Sequence, residues 1–244
     1  GVFRGIDGCL VLETGNSKLG ECHRSVVIGC DVAKHTDWTV LVAMDAESGR
    51  CFAMERFNQL DWPIQKERIV AFARRHRGRV ILDATGVGDP IYDDLKRVLP
   101  DIQPFVMTAG AKVELVQRLA VAIEQREVGW PAGRGQTERE YLAKAQRSQR
   151  GDGENHGFTR MDTDGAAQWD VLTAELKRYE YDLGPTGRIS YGAPSGYHDD
   201  CVMALALANH GRWQAANCSV RIARFESRWM DNVRRRKREQ GIYP

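Results

Sequence analysis

No stretch of these 244 residues stays apolar for the roughly twenty positions a membrane span needs, and no signal-peptide pattern opens the chain. The sequence therefore predicts no membrane partner. Disulfide frames and zinc modules are also poorly supplied. The six cysteines, at positions 9, 22, 30, 51, 201 and 218, include no CxxC pair, and Cys30 and Cys201 lie in apolar sequence. That pattern predicts reduced thiols in an intracellular protein. Cys22-His23 offers a metal two ligands, but nothing nearby completes the set. Neither sign of charge is in excess: the formal net charge is +2, so the overall balance gives no argument for nucleic acid and only the local distribution can. Internal repeats are absent. The chain begins with Gly1 rather than Met, as expected of a processed product or a part of something longer.

What is present is a large apolar content. Hydrophobic residues make up 42% of the chain, enough for a sizeable core in one large domain or two small ones. The most informative stretch runs from Val26 to Val42. Val26-Val27-Ile28 reads as a central strand buried on both faces, and Thr39 to Met44 as a second. Asp31 falls at or near the end of the first strand, where a carboxylate costs free energy unless hydrogen bonds or a cation compensate it. Val80-Ile81-Leu82-Asp83-Ala84-Thr85-Gly86 repeats the anomaly, and so does His198-Asp199-Asp200 before the apolar run that follows Cys201. Taken singly, these read as a hydrogen-bonded strand end, an Asp-stabilised turn and a helix cap. Taken together, three acidic points embedded in core-like sequence point to a divalent metal.

The remaining elements can be placed in order. Residues 1–24 read as a connector or small hairpin. Strands at 26–31, 38–44 and 51–57 form an antiparallel meander. A helix opens at Trp62-Pro63, capped by Asp61, and ends in the basic run Arg74-Arg75-His76-Arg77. A fourth strand covers Val80–Leu82, a helix runs from Asp89-Pro90 to Leu99, and a fifth strand covers Ile102–Met107. Lys112 to Glu127 is an amphipathic helix. Residues 132–165 lack core-forming periodicity, with a polar helix expected over Thr137–Gln149. A helix over Gln168–Tyr181, a short strand over Arg188–Tyr191 and an apolar helix over Asp199–His210 follow. The tail from 216 to 244 is basic, with Arg234, Arg235 and Arg236 in its densest run. This order predicts an α/β fold: a mixed five-stranded sheet, meander plus parallel strands, with helices on both faces. One domain spans 25–215, with 132–165 as an insertion. Ligands on such sheets bind beyond the carboxyl ends of the parallel strands, where Asp31 and Asp83 fall.

The motifs carry a family resemblance. Gly29-Cys30-Asp31-Val32-Ala33 with Asp37-Trp38-Thr39, then Asp83-Ala84-Thr85-Gly86-Val87-Gly88, then His198-Asp199-Asp200 before an apolar helix, are similar to the three motifs of one family. Together they resemble the C-terminal nuclease domain of the large terminase subunit of tailed bacteriophages and prophages, a domain of RNase H-like fold. Val2-Phe3-Arg4 resembles the junction after that family's ATPase domain. The resemblance implies a DNA endonuclease that cuts concatemeric double-stranded DNA with little sequence preference. It implies an ATPase domain, a small terminase subunit and a portal as partners, in the host cytoplasm. Two departures stand out. No phosphate-binding GxxxxGK[ST] motif occurs, so these residues alone are not expected to drive DNA translocation, and 132–165 is longer than the family's usual connection.

The chemistry follows from the carboxylates. Two Mg²⁺ or Mn²⁺ ions about 4 Å apart suit phosphodiester hydrolysis, and both prefer oxygen ligands. Asp31 is expected to bridge them and Asp83 to hold one. Of Asp199 and Asp200, at a helix start, one is expected as a direct ligand and the other as a supporting residue or a ligand to the second metal, in an order the sequence leaves open. His198 and Asp37 are supporting candidates. Lys112, Arg74, Arg75, Arg77 and Arg234–Arg236 are candidate phosphate contacts, though a solvated face is the favoured reading of Lys112 and Arg74–Arg77, and a disordered tail, able to bind DNA nonspecifically or dock on a partner, that of the Arg234–Arg238 run. Two other readings stay open: another RNase H-like nuclease, such as a junction resolvase or transposase/integrase core, and a non-catalytic DNA-docking module.

Overall fold

The computed structural model describes residues 1–11, 25–33, 37–86, 88–132, 165–183 and 189–217. The expected polar helix at 137–149 and the Arg234–Arg238 run lie outside the described residues, as does nearly all of the 132–165 insertion.

The three apolar runs near the start become an antiparallel meander. A short 3-10 helix (Ile6–Cys9) and β1 (Leu10–Val11) come first, then β2 (Val26–Asp31), β3 (Thr39–Asp45) and β4 (Cys51–Phe57). Helix α1 (Trp62–His76) crosses to β5 (Gly78–Asp83), which lies parallel to β2. Helix α2 (Gly88–Lys96) leads to β6 (Gln103–Phe105), parallel to β5. The sheet order is β4-β3-β2-β5-β6, the mixed five-stranded sheet expected. Beyond it come α3 (Ala109–Glu124), β7 (Trp130–Pro131), α4 (Gly165–Arg178), the hairpin β8 (Glu180–Leu183) and β9 (Ile189–Gly192), and α5 over residues 200–217.

The two-residue alternation of the strands divides the core. Ile28, Cys30, Leu41, Val80 and Leu82 meet Ile69 and Phe72 of α1 and Ile91 and Leu95 of α2 on one face. Val40, Val42, Met44 and Ile81 meet α3, α4 and α5 on the other. Helix α5 is apolar all round because it is enclosed all round: every residue from Cys201 to Ala208 is buried. Each fully buried Leu there contributes about 2 kcal/mol.

Two glycines set how closely α5 lies on the sheet. A Cβ on Gly29 of β2 would sit 1.9 Å from the Ala204 carbonyl oxygen and 2.5 Å from the Ala208 nitrogen. A Cβ on Gly211 would meet Val27 and Ile81 at 2.7 and 2.9 Å. Backbone therefore lies against backbone, and the small residues Ala204 and Ala208 face β2.

Several boundaries differ from the sequence reading. Residues 1–11 do not pair with one another: β1 lies parallel to β7, and Phe3, Ile6 and Cys9 join the α3–α4–α5 core. The helix expected to reach Tyr181 stops at Arg178, because Glu180–Leu183 pairs with Ile189–Gly192. Asp61 holds the N-cap position of α1 without a side-chain bond to it. Cys9, Cys30, Cys51 and Cys201 are buried free thiols, in line with the reduced-thiol reading.

Candidate metal centre

The acidic cluster is a consequence of register. Val27, Gly29 and Asp31 share the α5 face of β2, as Ile81 and Asp83 do on β5. Gly29 pairs with Ile81 and Cys30 with Leu82, so the next step along both parallel strands sets Asp31 beside Asp83. Adjacent strands are about 4.8 Å apart. The close seat of α5 over Gly29 then brings Asp199 and Asp200 to the same end of the sheet. The structure thus assembles all four carboxylates that sequence singled out.

Their electrostatics are mutually unfavourable. Burial, followed by the charges of Asp200, Asp83 and Asp199, pushes the Asp31 carboxyl well above its ordinary range, with Lys112 opposing. Asp200 is pushed up to about 6, chiefly by burial, against a hydrogen bond from the Trp38 backbone N–H at 3.2 Å. Lys112 Nζ lies 3.1 Å from Asp199 Oδ2. Asp83 Oδ1 accepts from Thr85 N at 2.9 Å, and Thr85 Oγ1 in turn accepts from Met107 N at 2.7 Å. The Asp-stabilised turn is therefore present, and it fixes Asp83 at the mouth of the cluster.

A tighter group lies at its edge. Among the described residues, only Asp37, His198 and Asp200 bring three ligand atoms within 4.8 Å of one another. His198 Nδ1 is 3.4 Å from Asp37 Oδ1 and 3.6 Å from Asp200 Oδ2. The two supporting candidates therefore cluster around Asp200. The segment carrying Asp37 is tied from behind: Thr39 Oγ1 accepts from Ala33 N at 3.0 Å and donates to the buried Gln65 Oε1 at 2.7 Å. Gln65 Nε2 donates to the Leu60 carbonyl at 2.8 Å.

Lys112 sits inside the acidic cluster, not on an open face. Arg74, Arg75 and Arg77 are not brought to it. They precede β5, whose six residues carry the chain about 17 Å to Asp83, so they occupy the opposite end of the sheet. Arg234, Arg235 and Arg236 lie outside the described residues. Sequence reasoning missed Glu175. It is 7% exposed, and its Oε2 accepts from Cys201 N at 2.9 Å and Val202 N at 3.4 Å, at the start of α5. Burial raises its carboxyl to about 7 despite nearby Arg56. Its signal was positional, since Glu175 falls three residues after Leu172 and four before Tyr179 on the inward stripe. Arg56 of β4, also missed, is buried with its guanidinium 3.7 Å over the Trp38 ring.

Comparison with known proteins agrees with this geometry. Residues 28–210 match the protein family described as "Terminase RNaseH-like domain". The large terminase subunits of Thermus virus P23-45 and Thermus phage G20c are each 26% identical over 215 residues. That alignment takes in 85% of this chain but 37% of theirs, so the chain spans little more than a third of the length of those relatives. The crystal structure of the large terminase nuclease of phage G20c with bound magnesium superposes with a TM-score of 0.63 at 24% identity, over 86% of this chain and 96% of that one. The nuclease domain of the large terminase subunit of bacterial virus Sf6 gives 0.52 at 12% identity, over 86% and 98%. Crystal forms of the G20c nuclease with bound cobalt and zinc share the fold. With three quarters of its length inside the matched region, and with the sheet order and acidic cluster described above, this chain belongs to the terminase RNaseH-like domain family.

Proposed function

We propose that the chain is a metal-dependent DNA endonuclease domain whose centre is formed by Asp31, Asp83, Asp199 and Asp200. The observation that carries the reading is the side-by-side placement of Asp31 and Asp83 under the start of α5. The donor set fits hard divalent cations. It consists of carboxylate oxygens, and the repulsion that adds to burial in raising the Asp31 carboxyl is the repulsion a cation converts into affinity. Magnesium in the G20c nuclease supports the same class of ion here. Mg²⁺ or Mn²⁺, two ions in all, would neutralise phosphate charge and make water nucleophilic at neutral pH.

The protein's own residues have distinct parts in this reading. Asp31 holds cations from the central strand and Asp83 from its neighbour. Asp200 is fixed by the Trp38 N–H and flanked by His198 and Asp37, which suits it to orient a ligand or water. Asp199, paired with Lys112, is the more exposed ligand candidate, with its side chain 27% exposed against 12% for Asp200. Lys112, paired with Asp199 here, would be available to a substrate phosphate if a cation took its place beside that carboxylate. A centre of carboxylates that holds phosphate through cations does not itself read base edges, so cleavage is expected to have low sequence preference. The substrate is concatemeric double-stranded viral DNA in the host cytoplasm, and the partners are a terminase ATPase domain, a small terminase subunit and a portal. These assignments draw on the relatives' identity as large terminase subunits. Among the described residues, no helix is long and apolar enough to cross a membrane.

The test is supercoiled plasmid incubated with the protein in Mn²⁺, Mg²⁺ or EDTA, beside Asp31→Ala and Asp83→Ala. Metal-dependent nicking and linearisation, lost by at least a hundredfold in both variants, is expected. Preference for branched substrates would instead favour a resolvase-like enzyme. Absence of both cleavage and metal binding would favour a DNA-docking module.

A further inference from the structure

The start of α5 poses a capping problem that is solved from another helix. A helix beginning at residue 200 leaves the N–H groups of its first turn without intrahelical partners. Asp199 is its N-cap by backbone geometry: its carbonyl oxygen accepts from Met203 N at 2.9 Å. An aspartate in that position ordinarily turns its carboxylate back onto the second and third helical N–H groups. Here those groups belong to Cys201 and Val202, and both donate to Glu175 Oε2 of α4. The Asp199 carboxylate lies elsewhere, 3.1 Å from Lys112 and within electrostatic reach of Asp31.

The arrangement has a thermodynamic cost. A buried Glu175 is an expensive way to cap a helix that already carries a competent cap residue. What it secures is the freedom of Asp199. We infer that Glu175 is a positioning residue: by capping α5 across the helix interface, it releases the Asp199 carboxylate from the helix end and directs it into the metal centre. The inference rests on the metal-centre reading of the previous section. Burial disfavours the charge of Glu175, and the nearby Arg56 guanidinium opposes that penalty.

The experiment is calorimetric titration with Mn²⁺ of the wild type, Glu175→Met, Glu175→Gln, Asp199→Asn and the Glu175→Met/Asp199→Asn double variant, with Asp31→Ala as the control for the centre itself. Met keeps the buried volume and removes the acceptor, whereas Gln keeps a carbonyl oxygen at the cap. Glu175→Met should fold, because Asp199 takes over the vacated N–H groups, and should bind Mn²⁺ about tenfold to a hundredfold more weakly. Glu175→Gln should recover most of that affinity. In the Asp199→Asn background, Glu175→Met should cost nothing further, which a general loosening of the fold would not reproduce. Equal affinity of wild type and Glu175→Met, or additive losses in the double variant, would overturn the positioning role while leaving the centre intact. A Glu175→Met chain that does not fold would also count against it, since Asp199 would then be unable to replace the cap. Wild type that binds no Mn²⁺, or binding indifferent to Asp31→Ala, would remove the metal centre and this inference with it.

Discussion

At Asp31, partial burial and three neighbouring carboxylates act in the same direction, and Lys112 is the cation that opposes them. The group's folded-state pKa is therefore raised above its ordinary 3.8. In that interval the folded protein holds a proton that the unfolded chain has released, so stability is fully present below the ordinary value and is lost as pH rises through the folded one. Asp200, raised to about 6, adds to the same slope. Chemical denaturation in EDTA should show stability falling from pH 5 to pH 7.5. Asp31→Asn should flatten that slope and be more stable than wild type at the upper end. A slope that Asp31→Asn leaves unchanged would mean the four carboxylates do not share one field. The candidate site's acids were legible in the sequence because Asp31 and Asp83 end apolar strand runs and Asp199 and Asp200 open an apolar helix, where an uncompensated charge is anomalous. Glu175 and Gln65 were not, because each sits on a helix whose other residues are ordinary, and burial of a single polar side chain depends on what packs against that helix.

The contact between β2 and α5 sets the geometry at the next scale up. Nothing in local propensity places α5 on this sheet, yet the four-acid cluster exists only because Gly29 admits the Ala204 carbonyl. Gly29→Ala puts a methyl carbon 1.9 Å from that backbone oxygen, and no rotamer relieves the overlap. Helix α5 must lift, carrying Asp199 and Asp200 away from Asp31. A loss of about 1–3 kcal/mol in urea denaturation is expected. Mn²⁺ affinity should fall with it, in calorimetry below the melting transition. Full affinity in a folded Gly29→Ala protein would mean that α5 does not set the carboxylate spacing. The main strands and helices were readable because their apolar periods are clear and their turns carry Gly, Pro and Asp. The hairpin β8–β9 was read only in part. Most of its residues are exposed, so no inward stripe marks them, and a neighbouring helix pattern appeared to run on.

Across the whole molecule, residues 1–11 depart furthest from the sequence reading of the N-terminal segment as a connector or small hairpin. Phe3 is 6% exposed and its ring lies 5.4 Å from that of Tyr179, itself fully buried behind Asp199. The Val2 N–H donates to the Tyr179 carbonyl at 3.1 Å, and Leu10–Val11 pairs with Trp130–Pro131. Phe3, Ile6 and Cys9 stand three residues apart, but two such steps in a glycine-containing stretch are too short a pattern to distinguish a linker from a strap that closes the α3–α4–α5 core. The two descriptions make different energetic demands. A linker side chain can be truncated at almost no cost. Removing a buried phenyl ring forfeits its transfer free energy and leaves a cavity beside Tyr179, a loss of about 3 kcal/mol or more. Phe3→Ala should therefore shift the urea midpoint strongly at unchanged m-value, whereas Arg4→Ala, at an exposed neighbouring position, should stay within about 0.5 kcal/mol of wild type. If Phe3→Ala were as mild as Arg4→Ala, the segment would be a tether lying on the domain. The expected contrast makes it part of the domain's fold, and any shorter version of the domain would have to keep residues 1–9 to hold Tyr179 and the start of α5 in place.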